Sequence, residues 1–112
     1  LVILASKRHF YCMDELTIEE RVEYIELICK IREAQRSLLG IEKVYYFYNE
    51  DTTHHFHLWI VTRYEWMYEF GKSVESLRPV LLHARNNLNN EDNMKKVIAA
   101  ITSLREELGG EL

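Results

Sequence analysis

The sequence is poor in the features that mark several protein classes. Cys12 and Cys29 are its two cysteines, too few for a disulfide framework, and they form no Cys-x-x-Cys pair. Its uninterrupted apolar runs, such as Leu1 to Ala5, fall far short of the ~20 residues that cross a bilayer as a helix. Basic runs are missing too: 14 Lys and Arg stand against 18 Asp and Glu, a formal charge of −4, so no segment is suited to tracking a polynucleotide backbone. With no charged-then-apolar leader, no internal repeat and no interdomain linker, the expectation is one cytoplasmic domain over residues 1–112, without a membrane or polynucleotide partner. A chain of this length buries roughly two thirds of the surface it exposes when unfolded.

What the chain does have is a concentration of imidazoles. His54, His55 and His57 fall within four positions, in the stretch His54-His55-Phe56-His57-Leu58-Trp59-Ile60-Val61-Thr62-Arg63. As a strand, whose side chains alternate between faces, it puts His55, His57, Trp59, Val61 and Arg63 on one side and Phe56, Leu58, Ile60 and Thr62 on the other. The second face is fit for a core and the first for a ligand. Nucleophilic histidine chemistry needs a neutral imidazole with one nitrogen held by a hydrogen bond, so that the other keeps its lone pair. Paired histidines on a strand face also suit Zn²⁺, with His54, His9 or a carboxylate completing the set.

The run from His55 to Arg63 resembles the strand of the histidine triad family, in which His, apolar, His, apolar, His, two apolar residues, Pro and Arg follow in order. On that pattern His55 takes the first histidine and His57 the second. Trp59 stands where the third would be, and Thr62 replaces Pro. The resemblance implies a nucleotide phosphate hydrolase or nucleotidyl transferase, acting on nucleoside phosphoramidates or dinucleoside polyphosphates through a covalent nucleotidyl-histidine. His57 would be the nucleophile and His55 would position the phosphate and balance charge, the two forming the catalytic pair. Asn49, Thr52, Trp59 and Arg63 would bind substrate. No metal or other cofactor enters that scheme. A nucleotide-binding module of the same fold without turnover, and a histidine-based metal-binding protein, are the alternatives.

Elsewhere the pattern is clearer for structure than for chemistry. Leu1 to Ala5 reads as a buried strand, and Lys7-Arg8-His9, which end it, as a solvated turn, with a direct ligand role as the alternative. The resemblance implies that the family's N-terminal segment is missing from the sequence. Thr17 and Glu20 form a capping box for a helix from Ile18 to Leu39, closed by Gly40. One side of that helix carries Ile18, Val22, Ile25 and Cys29, and another carries Tyr24, Leu27, Ile31, Ala34 and Leu38. Two apolar faces need two partners: the sheet, and either the C-terminal helix or a second subunit. The resemblance implies a homodimer.

Val44 to Asn49 reads as a strand joined antiparallel to the histidine strand by Glu50-Asp51-Thr52-Thr53. Tyr64 to Phe70, an aromatic cluster, reads as a cap on the core, with a base-stacking platform as the alternative, and Gly71 to Ser73 as a turn. Helical segments follow over Val74 to Leu77 and Val80 to Leu88, with Arg78-Pro79 a break or a new start. Asn90 caps a last helix with Met94, Val97, Ile98, Ile101, Leu104 and Leu108 on its apolar face, stopped by Gly109-Gly110. The expected class is α+β: an antiparallel sheet, one long helix across it, and C-terminal helices at its side or end.

Overall fold

The computed structural model describes residues 1–51 and 55–109. It is a mixed α+β arrangement of a three-stranded antiparallel sheet and three helices. Strand β1 is Val2–Ala5, β2 Val44–Phe47 and β3 His57–Thr62, with β3 in the centre. Val2 pairs with Ile60 and Ala5 with His57 on one side; Val44 pairs with Thr62 and Phe47 with Trp59 on the other. β2 therefore ends two residues earlier than the alternation predicts, and Tyr48 and Asn49 lie beyond its ladder. Main-chain bonding goes on past the other end of the β1 ladder, where the Ser6 amide donates to the Phe56 carbonyl and the Phe56 amide to that of Phe10.

Helix α1 runs over Ile18–Leu39. The Thr17 hydroxyl accepts from the Glu20 amide while the Glu20 carboxylate accepts from the Thr17 amide, so two donors orphaned at the helix start are satisfied reciprocally. Gly40 ends it in the left-handed conformation at φ 64°, which a side chain would resist. The face with Tyr24, Leu27, Ile28 and Ile31 lies on the sheet, and Ile31 joins Leu4, Leu58, Ile60 and Leu108 in the main core. Ile31 and Ile60 have no exposure at all, so each contributes about 1.5–3 kcal/mol of burial. A second cluster, Phe10, Leu16 and Phe56, extends the core toward the start of β3, with Phe10 and Phe56 stacked at 5.1 Å.

The other apolar side of α1 stays uncovered: Ile18, Val22 and Ile25 are 73%, 62% and 59% exposed. The C-terminal helix α3, Glu91–Glu107, does not cover it, because its buried contacts are confined to its last turns at Leu104 and Leu108. Met94, Val97, Ile98 and Ile101, expected on an apolar face, are exposed. The Asn90 side chain caps α3 by accepting from the Asn93 amide, as its position predicts.

Between β3 and α3 the chain makes a 3-10 segment at Glu65–Phe70, helix α2 at Val74–His83 and a π-helical turn at Ala84–Leu88. Pro79 is the sixth residue of α2 and does not divide it, contrary to the sequence reading. The proline withholds one bond, to the carbonyl four residues back, while Val80 is buried on the sheet and Leu77 packs beside it. Among the described residues no helix is long and apolar enough to cross a membrane.

Candidate functional site

The core face expected of the histidine strand is present. Phe56, Leu58, Ile60 and Thr62 are all buried on the α1 side. The opposite face departs from expectation, because it is not an open ligand surface along its length. Val61 is 6% exposed and forms a third cluster with Met67 and Val80, against which Trp59, Phe47, Tyr45, Phe70 and Leu77 pack. The segment after Arg63 folds back over the middle of β3, as the reading of Tyr64 to Phe70 as a core cap anticipates. Trp59 is consequently a packing residue: its large ring spends its surface on apolar neighbours.

The described histidines of this stretch lie at the head of β3 and just before it. His57, the first residue of the strand, is half-buried. Its Nδ1 lies 3.0 Å from the carbonyl oxygen of His55. A carbonyl only accepts, so Nδ1 carries a proton, and in the neutral form of the ring the lone pair lies on Nε2. His55 is also half-buried, and its Nδ1 is buried with no hydrogen-bond partner among the described residues. Its ring lies 5.2 Å from that of His9, whose Nε2 is 3.0 Å from the Tyr11 hydroxyl. His9, which the sequence places in a turn, and Tyr11, to which it assigns nothing, are thus neighbours of the site.

Arg8 beside them is an anchoring residue. Its guanidinium donates to both oxygens of Glu20 and to the Glu15 carbonyl, and covers the Phe10 ring at 4.4 Å. The Arg8 hydrogen bonds, with the Thr17 amide, hold the Glu20 carboxyl down to about 2. The irregular stretch from Ser6 to Phe10 and the start of α1 are thereby tied together next to His55.

Of the residues assigned to substrate, Asn49 is exposed two positions past the Phe47–Trp59 pair, at the end of the sheet from which His57 starts. Thr52 and His54 lie outside the described residues. Arg63 is separated from His57: six strand residues at about 3.3 Å each put it about 20 Å away, at the opposite end of β3. There its guanidinium lies over the Tyr68 ring at 4.6 Å, with Nη1 3.8 Å from a Glu65 carboxylate oxygen. A phosphate at His57 is out of its reach.

No family model, curated protein or solved structure matches this chain. Its chemistry therefore rests on its own residues.

Of the histidines named for the metal alternative, His54 lies outside the described residues. Among the described residues the group of His, Cys, Asp and Glu with donor atoms near enough for one ion is Cys12, Asp14 and Glu50, within 4.8 Å of one another, and it includes no histidine. Glu50 in that group is already engaged, accepting from the Tyr48 hydroxyl and the Met13 amide. Those two bonds, Tyr48 first, keep its carboxyl below the usual range. Burial and the neighbouring carboxylates push the Cys12 thiol up, away from the thiolate a metal needs.

Proposed function

We propose that this chain is a nucleotide phosphate hydrolase or nucleotidyl transferase of the histidine triad type, working through a nucleotidyl group carried on His57. The observation that supports it most is the 3.0 Å contact between His57 Nδ1 and the His55 carbonyl, which fixes the tautomer with the nucleophilic lone pair on Nε2. Nε2 attacks the α-phosphorus, a P–N bond forms, and the bond from phosphorus to the leaving group breaks with its electron pair going to that group. Water or an acceptor alcohol then attacks the same phosphorus, the P–N bond breaks, and His57 is regenerated. Two modest displacements replace one difficult one.

His55 would lie against the phosphate, and Asn49 and Thr52 would donate to its oxygens, meeting the charge that develops there. Arg63 has no part in this scheme, given its distance along β3. Trp59 supports the fold beneath the site rather than moving a proton. The exposed apolar side of α1, Ile18, Val22 and Ile25, would be covered by a second copy of the chain in the homodimer that goes with this reading.

The second reading is a nucleotide-binding module without turnover, favoured by the indole packed where the family has an imidazole. Incubation with a nucleoside phosphoramidate and with dinucleoside polyphosphates separates the two. Turnover that disappears in His57→Ala supports the enzyme. Binding with no turnover in the native chain supports the module, and turnover undiminished in the variant removes His57 from the chemistry.

A further inference from the structure

At the end of the sheet farthest from His57 lies an open cleft of about 520 Å³, a volume within the range that small ligands occupy. Its walls carry Arg32, Lys43, Arg63 and Lys72 against one carboxylate, Glu42, with the Tyr68 ring as part of the lining. In a chain of formal charge −4, four cations around one cavity are a local reversal of sign. The cluster is built by the fold. The Arg63 amide donates to the Lys43 carbonyl, which puts the two residues side by side where β2 begins and β3 ends.

The four cations differ in what already satisfies them. Arg32 is committed: Nη1 donates to Gln35 Oε1, and Nη2 to the Glu42 carbonyl, so it contributes fixed positive charge to the wall. Lys43 and Lys72 are exposed and able to move onto a ligand. Arg63 is the unusual member. Its side chain is only 11% exposed, and Nε and Nη1 are withdrawn from water without a hydrogen-bond acceptor among the described residues. Glu65, its ionic neighbour among the described residues, is 3.8 Å away, 88% exposed and beyond hydrogen-bond range. A guanidinium over an aromatic ring, with two donors unmet among the described residues, favours a planar or tetrahedral oxyanion that reaches it. The rim is completed by Ser73, after which α2 begins with no side-chain cap on its first amides, and these add positive potential.

We infer that this cleft is an anion site that takes the phosphate group of a small phosphorylated molecule, with Arg63 as its principal donor and Lys43 and Lys72 closing on the remaining oxygens. It stands independently of the His57 reading, since the two places are separated by the length of β3. The shared chemistry is a phosphate oxyanion, whether inorganic or a phosphomonoester.

Titration of ¹⁵N-labelled protein with sodium pyrophosphate at low ionic strength, followed by amide shifts, tests it. Saturable movement of the Lys43, Arg63, Lys72 and Val74 amides is expected, with chloride at matched ionic strength causing none. Arg63→Gln weakens binding by at least about tenfold, and His57→Ala leaves it unchanged. Repeating the titration with orthophosphate and with ADP tells inorganic phosphate from a phosphorylated organic ligand. Should Arg63→Gln lose its dispersed spectrum, the exposed pair Lys43→Gln and Lys72→Gln takes its place, with weaker binding again expected. Absence of saturation, shifts centred on His57, or undiminished affinity in whichever of these variants folds overturns the assignment.

Discussion

The Nδ1 nitrogen of His57 lies 3.0 Å from the carbonyl oxygen of His55, two residues earlier in the chain. Because the acceptor belongs to the backbone entering β3, ring orientation and strand geometry are coupled, and the neutral imidazole is held as the Nδ1–H tautomer. Long-range ¹H–¹⁵N correlation at a pH where His57 is neutral is expected to show Nδ1 as the protonated nitrogen. A neutral ring protonated on Nε2 contradicts the assignment.

Trp59 packs in the cluster of Val61, Met67 and Val80, so placing an imidazole there does not restore a triad. Trp59→His is expected to lose about 2 kcal/mol of stability through the missing ring surface and to bring no gain in phosphoramidate turnover. Urea unfolding and a rate assay check both halves, and an increase in rate at unchanged stability refutes the packing role.

The Tyr24 hydroxyl is buried with no hydrogen-bond partner among the described residues, while its ring meets Phe56 at 5.3 Å. Burial pushes the phenol up from 10.0 to about 12. A raised phenol favours the neutral form in the fold, so its contribution is fully present below the unfolded value and is lost as pH climbs through about 12. Tyr24→Phe keeps the ring and removes the unmet hydroxyl. Stability equal to the parent or up to about 1 kcal/mol higher at neutral pH is expected, with a shallower alkaline decline. A loss above that size by calorimetry points to a bond that the hydroxyl does make.

Ser73 holds φ 54° and ψ −134°, a left-handed backbone that residues with a Cβ resist. Ser73→Gly relieves that strain, and a gain of about 1 kcal/mol is expected in denaturant unfolding. A lower unfolding midpoint shows the hydroxyl to be holding α2 in place.

Glu20 is paired with Arg8 and accepts from the Thr17 amide, which together lower its carboxyl from 4.5 to about 2. A depressed acid stabilises the fold above its unfolded value and loses that contribution as pH falls toward the folded one. Thermal stability of the parent is therefore expected to decline from about pH 4.5 toward about pH 2, with a shallower decline in Glu20→Gln. Superimposable acid profiles rule the pair out as a contributor.

Where sequence signals are local, they carried through to the structure. Thr17, Glu20 and Gly40 mark both ends of α1 because capping and left-handed termination are decided within a few residues, and Asn90 does the same for α3. The alternation of Phe56, Leu58, Ile60 and Thr62 identified the core face of β3, and the short polar link to β2 its antiparallel pairing. What escaped depends on contacts distant in sequence. Nothing near Trp59 or Val61 reveals that Met67 and Val80 will cover them. The period of Met94, Val97, Ile98 and Ile101 states that they share a side of α3 and not whether anything lies against it. Arg63 was grouped with His57 because spacing gives a shared face, although six residues of strand keep them apart. Lys43, Lys72 and Ser73, divided between two connections far apart in the chain, give no linear sign of the cleft they share.

The central position of β3 has one more outcome. Residues this far apart, with no shared partner, combine almost independently, within about 0.5 kcal/mol. A double lesion at the two ends of the strand should unfold with the sum of the single deficits, so each terminus can be silenced while its counterpart serves as an internal reference in the same molecule.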